Sequence, residues 1–176
     1  MKIENLANHI DSIPDFPKNG ILFRDLLPIL RNPNLFRSLI ESMSNVQECE
    51  DADALIAIDA RGFLFGSPLS LKLNKPLVVA RKPNKLPGKL ISKSYELEYG
   101  NNSLSLQENS IDSYQTFAII DDLLATGGTA IAALDLVDMF EDKKIIGAGF
   151  IINLPTLGGE KKLEERGIKF HSIMEF

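Results

Sequence analysis

Short apolar runs alternate with helix-forming segments along most of this 176-residue chain. The runs are apolar on both faces, and the segments between them place apolar residues at helical spacing. Strands buried on both faces and separated by helices are typical of a parallel sheet covered by helices. We therefore predict an α/β fold with a doubly wound, mainly parallel sheet flanked by helices. The predicted strands are 54–58, 76–81, 117–121, 144–153 and 168–174, and the clearest predicted helices are 62–73 and 128–140.

The amino-terminal segment has weaker patterns. Apolar residues at helical spacing predict a helix over residues 3–13, whereas two prolines and a glycine predict an irregular loop over 13–20. Asn32 followed by Pro33 predicts the start of another helix. The acidic run 48–53 predicts a solvated surface loop.

Residues 82–110 interrupt the alternation of strands and helices. They combine prolines and glycines with stretches in which polar and apolar residues alternate, such as 90–99 (LISKSYELEY). This pattern predicts exposed hairpin strands or a mobile flap outside the sheet core. Long irregular segments in compact domains are often functional lids.

Composition excludes several classes of protein. The net charge of −5 and the pI of about 5.1 argue against a nucleic-acid or membrane-surface binder, which is normally basic. Cys49 is the single cysteine, so no internal disulfide is possible. No apolar run approaches the roughly 20 residues of a membrane helix. The sequence predicts one soluble, cytoplasmic domain over residues 1–176.

The stretch 119–129 (IIDDLLATGGT) carries the most specific chemistry. A strand, a glycine-containing turn and a helix amino terminus direct backbone N–H groups at one point, which suits a phosphate. Gly127 and Gly128 permit a tight turn, while Thr126 and Thr129 add hydroxyl donors. Since no Lys or Arg lies between residues 118 and 142, this is not a nucleoside-triphosphate P-loop.

Asp121 and Asp122 stand immediately before this turn, where carboxylates would repel a phosphate. Their presence is explained if they accept hydrogen bonds from vicinal sugar hydroxyls, with a bound Mg²⁺ relieving the repulsion. A 5-phosphorylated ribose satisfies both halves of the stretch. The alternative is that the acids merely cap the following helix.

The stretch resembles the phosphoribosyl pyrophosphate signature of the type I phosphoribosyltransferases. Three others, 15–25 (DFPKNGILFRD), 58–66 (IDARGFLFG) and 88–100 (GKLISKSYELEYG), narrow the resemblance to members that act on adenine. It implies transfer of 5-phosphoribose from 5-phospho-α-D-ribose 1-diphosphate to N9 of adenine, giving AMP and pyrophosphate in purine salvage. It also implies a Mg²⁺ held mainly by the substrate rather than by protein ligands, and a homodimer.

The same resemblance implies a small hood formed by about residues 1–30 and 153–159, and a flexible catalytic hairpin over about 82–110. It assigns the 5-phosphate to Ala125, Thr126, Gly127, Gly128 and Thr129, and the ribose hydroxyls to Asp121 and Asp122. It assigns the pyrophosphate to Asp59, Ala60, Arg61, Arg81, Lys82 and Lys85. Read without the family, the cations of 81–93 are a solvated loop or a weak nucleic-acid patch.

Catalysis and base recognition rest on the resemblance alone. It implies that Glu98 handles the proton of the purine imidazole, that Tyr99 lies beside it, and that Arg61 acts on the leaving group. Leu22, Phe23, Arg24 and Leu154 are the expected adenine contacts, with Phe23 stacking on the base. Without the family, the alternating YELEY of 95–99 is simply an amphipathic edge strand.

Two residues depart from the family pattern. Asn153 and Pro155 stand where the adenine-specific members usually carry an acid and a Ser or Thr. Asn153 removes a carboxylate near the base, and Pro155 removes a backbone donor. We expect both changes to affect base contacts more than the reaction.

Two other functions remain open. One is a non-catalytic sensor that binds the sugar phosphate and regulates a partner. The other is the same transfer to a different purine. Turnover assays with each purine discriminate between them.

Overall fold

The computed structural model describes residues 4–96 and 101–176. The chain divides into two compact units, Met1–Ser42 and Met43–Phe176, and each is described by itself. The single domain expected over residues 1–176 stays a prediction, as does the hood expected from 1–30 and 153–159. No helix in the described ranges has both the length and the apolar character needed to cross a membrane.

The amino-terminal unit contains short helices and one antiparallel strand pair. Its elements are α1 (Glu4–Ala7), β1 (Asp11–Pro14), β2 (Leu22–Asp25), α2 (Leu27–Leu30) and α3 (Pro33–Met43), whose last residue begins the second unit. The expected helix over 3–13 is wrong beyond Ala7, because residues 11–14 pair with β2 in the register Asp11↔Asp25. Pro14 disfavours helical geometry at the residue before it, so the local chemistry supports the strand.

The start of α3 follows the sequence prediction. The side-chain oxygen of Asn32 accepts hydrogen bonds from the backbone N–H groups of Asn34 and Leu35 at 3.1 and 3.3 Å. These bonds satisfy two of the amide groups that a helix leaves unpaired at its amino end. The predicted irregular loop is confirmed for residues 15–20, which form a turn closed by a hydrogen bond from the Gly20 N–H to Asp15.

The second unit contains the predicted parallel sheet. In chain order its elements are α4 (Gln47–Asp51), β3 (Ala54–Ile58), α5 (Gly62–Leu73), β4 (Leu77–Ala80), β5 (Leu90–Glu96), β6 (Asn101–Gln107), β7 (Thr116–Leu124), α6 (Gly128–Val137), β8 (Lys144–Asn153), α7 (Gly159–Glu165) and β9 (Lys169–Glu175). Five of the strands form a sheet in the order β4-β3-β7-β8-β9, with every neighbouring pair parallel. The predicted α/β fold is confirmed.

The sheet order defines where a ligand is expected. The chain proceeds outward from β3 to β4 and then returns to β7 on the other side of β3, so the winding direction changes between β3 and β7. In open α/β sheets, ligands bind beyond the carboxyl ends of the strands at such a switch point.

The segment 82–110 is not wholly outside the core. Strands β5 and β6 pair as the predicted hairpin, and the backbone of Ser105 exchanges two hydrogen bonds with that of Arg81, at 2.8 and 2.9 Å, after the end of β4. Leu104 and Leu106 are fully buried in the main apolar cluster with α6. The alternation of β6 therefore reflects one face packed on a helix, and the expectation that this segment lies outside the core is wrong for Leu104 and Leu106.

Three further boundaries differ from the prediction. The acidic run expected as a loop contains α4, because one helical turn directs Cys49 into the interior. Strand β7 continues through both aspartates to Leu124, since it pairs with β8 along that length. Helix α6 ends at Val137 rather than at residue 140.

We expect Leu104→Ala to lower the free energy of unfolding by about 2–4 kcal/mol, because the side chain is 0% exposed and its loss leaves a cavity. Leu71→Ala, at a leucine that is 83% exposed, is the matched control and should change stability by less than about 0.5 kcal/mol. Urea unfolding measures both. Equal effects of the two substitutions would show that the hairpin base is not part of the core.

Candidate active site

A cavity of about 320 Å³ lies at the switch point, beyond the carboxyl end of β3 and beside β7. Its size falls within the range of roughly 300–1,000 Å³ that is usual for small-molecule sites. Seven predicted site residues line it together with three others. The lining residues are Ile58, Asp59, Ala60, Arg61, Lys82, Tyr95, Asn102, Asp121, Asp122 and Thr129.

The glycine-containing turn forms a second cavity of about 70 Å³, lined by Asp121, Phe150 and residues 123–130. This exceeds the roughly 10–15 Å³ of cavity volume that is needed to hold one water molecule, so a larger group fits. Asp121 and Thr129 line both cavities, which therefore adjoin. The structure thus brings the predicted phosphate turn and the two predicted ribose carboxylates together.

The turn presents its backbone as the sequence predicts. Gly127 precedes α6 with φ of 74°, a conformation that favours glycine, and no described side chain caps the helix. The first turn of α6 contains no acidic residue. The amide groups at this helix end are therefore oriented to bind an anion.

Asp121 and Asp122 form a tightly packed acidic pair. Asp122 is almost fully buried, and its backbone N–H donates to Oδ1 of Asp121 at 2.9 Å. Burial raises the pKa of Asp121 well above its usual range, and the charge of Asp122 adds to this effect. Burial also raises the pKa of Asp122, although Arg61 opposes the shift.

Arg61, which follows β3, forms an ion pair with a residue of β7. Its Nε lies 2.8 Å from Oδ2 of Asp122, while the Arg61 side chain remains 34% exposed. Within the described part of the chain, that carboxylate oxygen receives no hydrogen bond, so the contact is an ion pair only. The buried oxygen retains capacity for a ligand hydroxyl or a cation.

A second ion pair organises the predicted pyrophosphate residues. Nε of Arg81 lies 3.1 Å from Oδ2 of Asp59, and its guanidinium lies over the ring of Phe63 at 5.5 Å from the centroid. Arg81 also donates to the backbone oxygen of Lys85 at 3.4 Å. Lys82 lines the larger cavity, whereas in the described structure Arg81 and Lys85 lie outside its lining.

The other predicted residues lie in different parts of the chain. Leu22, Phe23 and Arg24 belong to β2 of the amino-terminal unit. There Phe23 makes an edge-to-face contact with Phe16 at 5.1 Å, and Arg24 donates to the hydroxyl of Ser12. Leu154 follows β8, with its N–H bonded to the oxygen of Leu124 at 2.9 Å. Glu98 and Tyr99 lie outside the described residues.

Sequence reasoning missed Tyr95 and Asn102. These residues face each other across the β5–β6 hairpin, and both line the larger cavity. Oγ1 of Thr129 makes a long hydrogen bond of 3.5 Å to the Tyr95 hydroxyl. The alternating pattern of β5 predicts that residues two positions apart, such as Lys93 and Tyr95, lie on the same face of the strand. The pattern does not predict what that face contacts.

The two departures from the family pattern are accommodated locally. Asn153 is 0% exposed, and its amide donates to Oε2 of Glu160 at 2.7 Å, so a carboxylate remains next to this position. Pro155 is the first residue of a 3-10 turn, Pro155–Leu157, where a backbone N–H is not needed.

No group of three or more His, Cys, Asp or Glu side chains suited to a metal occurs in residues 4–96 and 101–176.

We expect Asp121→Asn to make the protein more stable at neutral pH. In the folded protein the pKa of Asp121 is raised above its ordinary value of 3.8, so stability falls as pH rises from about 4 through the raised pKa. The amide removes this penalty and keeps an acceptor for the N–H of Asp122. The gain should be about 1 kcal/mol, or about 2–4 °C in Tm.

Thermal unfolding at pH 8 and at pH 4 tests this expectation, with Glu141→Gln at an exposed acid as the control. The advantage of Asp121→Asn should be present at pH 8 and should shrink towards pH 4. An advantage that is constant with pH, or absent at pH 8, would contradict the proposed cause.

Comparison with known proteins shows the family to which this chain belongs. The family model described as the phosphoribosyl transferase domain matches residues 27–170. An adenine phosphoribosyltransferase of Prochlorococcus marinus (strain MIT 9211) is 51% identical over 158 residues, which cover 90% of this chain and 91% of the relative.

Solved structures show the same relationship. The adenine phosphoribosyltransferase of Thermoanaerobacter pseudethanolicus has a TM-score of 0.92 and 39% identity, covering 99% of this chain and 100% of that one. The Saccharomyces cerevisiae enzyme, complexed with an imino-altritol bisphosphate and adenine, has a TM-score of 0.86 and 36% identity over 98% of each chain. The chain belongs to the phosphoribosyltransferase family, among the adenine phosphoribosyltransferases.

Proposed function

We propose that this protein transfers 5-phosphoribose from 5-phospho-α-D-ribose 1-diphosphate to N9 of adenine, giving AMP and pyrophosphate. One observation carries the proposal beyond family membership. The cavity of the glycine turn adjoins the cavity that contains Asp121, Asp122 and Arg61, at the switch point of the sheet. A sugar with a phosphate at one end and a pyrophosphate at the other matches that order of groups.

The phosphate turn, Ala125–Thr129, holds the 5-phosphate in this proposal. Backbone N–H groups at the start of α6 and the hydroxyls of Thr126 and Thr129 donate to its oxygens. Asp121 and Asp122 accept hydrogen bonds from the 2- and 3-hydroxyls of the ribose. The carboxylate oxygen of Asp122 that receives no hydrogen bond from the described residues supports this assignment.

The leaving pyrophosphate is assigned to the residues that follow β3 and β4. These are Asp59, Ala60, Arg61, Arg81, Lys82 and Lys85. Arg61 has a planar group with five N–H donors, so it can contact Asp122 and a phosphate oxygen together. Positive charge at this point stabilises the negative charge that develops on the leaving group.

The base is assigned to residues that the family resemblance identifies. Leu22, Phe23, Arg24 and Leu154 are the proposed adenine contacts, and Tyr99 lies beside the reacting base. As N9 bonds to C1 of the ribose, the bond from C1 to the pyrophosphate oxygen breaks. Glu98 accepts the proton that the imidazole of adenine loses.

Mg²⁺ is the proposed cofactor. Asp121 and Asp122 provide two carboxylates beside the substrate, and in this proposal the substrate itself supplies most of the ligands of the ion. When bound, the ion offsets the negative charge of the pyrophosphate. The family resemblance also supports a homodimer, and the single Cys49 is consistent with a cytoplasmic enzyme.

We expect pyrophosphate release when the protein is given the activated sugar, Mg²⁺ and adenine, and much less with guanine or hypoxanthine. Release is measured with each purine separately and without any purine. Turnover with guanine but not adenine would support transfer to a different purine. Failure to turn over any purine would support the non-catalytic sensor.

We expect Glu98→Ala to lower kcat by about 10²–10⁴-fold with little change in the KM for the activated sugar, because a general base acts in the chemical step. Asp121→Ala/Asp122→Ala should instead raise that KM, because hydroxyl contacts are lost before reaction. Glu141→Ala, at an exposed acid, is the control. Unchanged turnover in Glu98→Ala would exclude the role assigned to this residue.

A further inference from the structure

The backbone of Gly159, the first residue of α7, lies directly against the phosphate turn. A Cβ atom placed on Gly159 would overlap the carbonyl oxygen of Ala125 and would lie 2.9 Å from the nitrogen of Gly127. A Cβ atom on Gly127 would in turn lie 3.0 Å from the oxygen of Gly159. The backbone of Gly159 is therefore in close contact with the backbone of the turn, and Cδ1 of Leu124 also lies 2.9 Å from the Cβ position of Gly159.

Three observations indicate that the segment around Gly159 has a fixed position beside the turn. Gly159 is buried. The N–H of Leu154 bonds to the oxygen of Leu124, the residue at which β7 ends before the turn. The buried amide of Asn153 donates to Oε2 of Glu160, which ties the end of β8 to the first turn of α7. In the sequence, Gly159 lies between Leu154 and Glu160, the residues that form these two hydrogen bonds.

We propose that Gly159 is a positioning residue for the phosphate turn, and that the hydrogen bond between Asn153 and Glu160 holds Gly159 in place. This inference rests on the proposed function, which assigns the 5-phosphate to Ala125–Thr129. Gly159 does not touch the substrate. It supports the turn from behind, so that the N–H groups of the turn converge on the phosphate.

The argument depends on how a phosphate is bound here. No Lys or Arg lies between residues 118 and 142, so affinity for the 5-phosphate comes from backbone N–H groups and two hydroxyls. Such groups donate well only over a narrow range of distance and angle. A turn of small residues has few side-chain contacts to hold it, and a neighbouring backbone segment supplies the missing support.

The contact between Gly159 and the phosphate turn connects α7 to the candidate site. Asn153 ends the β8 strand and begins the segment 153–159, to which the family resemblance assigns part of the hood. The bond from Asn153 to Glu160 therefore joins that segment to the support of the phosphate turn. We expect a displacement of α7 to change the position of the phosphate turn more than the positions of Asp121 and Asp122, because these aspartates lie within β7.

Gly159→Ala tests the proposal. Since an ordinary contact with Cβ begins at 3.4 Å, the turn or the start of α7 must move by about 1 Å. A displacement of this size is expected to weaken binding of ribose 5-phosphate by up to about 100-fold and to raise the KM for the activated sugar similarly. The KM for adenine should change by less than about threefold.

Gly167→Asn is the matched control. Gly167 lies just beyond the end of α7, has φ of 68°, and would place a Cβ atom in open space. Asparagine tolerates this conformation, so affinity for ribose 5-phosphate should stay within about twofold of the wild type. Titration calorimetry measures binding, and urea unfolding measures the stability of each variant.

A second pair of variants covers the case in which Gly159→Ala does not fold. Glu160→Ala removes the acceptor for Asn153 and should weaken ribose 5-phosphate binding by about tenfold. Glu160→Gln keeps an oxygen acceptor at the same position and should restore most of the affinity. Glu164→Ala, at an exposed acid of the same helix, should have no effect on binding.

The outcomes separate this inference from the proposed function. If the wild type does not bind ribose 5-phosphate, the assignment of the phosphate turn is wrong. If the wild type binds it and the variants of Gly159 and Glu160 bind it equally well, or lose stability without losing affinity, the positioning role is overturned. Loss of affinity in Gly159→Ala and Glu160→Ala, with recovery in Glu160→Gln, supports it.

Discussion

Parallel pairing of β3 with β7 is the constraint on which the candidate site depends. The register places Ala57 beside Ile120, so the chain leaves β3 at the level of the two aspartates of β7. Nε of Arg61, beyond the end of β3, then lies 2.8 Å from Oδ2 of Asp122 in β7. Because β4 lies on one side of β3 and β7 on the other, a cavity opens at this point rather than being covered by the next loop.

The acidic pair has an energetic cost for the folded protein. Two carboxylates lie side by side, burial raises the pKa of both, and one guanidinium provides partial compensation. Buried polar groups are normally satisfied within the protein, and a buried oxygen of Asp122 that receives no described hydrogen bond is an exception. Such exceptions concentrate at functional sites, where a ligand provides the missing contacts.

Support for the phosphate turn comes from two directions. The hairpin contributes Tyr95, whose hydroxyl contacts Thr129 at the start of α6. Helix α7 contributes the backbone of Gly159. The turn itself contains small residues that leave room for a ligand, so its conformation depends on these neighbours as well as on the φ of Gly127. A site of this kind is formed locally but is held in place by distant segments.

Local sequence determined the parallel sheet and the chemistry of the turn. Apolar runs such as 54–58 can only be buried on both faces, and the order of aspartates, glycines and threonines in 121–129 specifies carboxylates followed by backbone donors. Family resemblance added the pyrophosphate, catalytic and adenine assignments. Tertiary structure decided what no local pattern contains. Residues 11–14 form a strand because β2 pairs with them, and the base of the hairpin is buried because α6 covers it. The contact between Gly159 and Gly127 joins residues 32 positions apart, and local propensity carries no information about such long-range contacts.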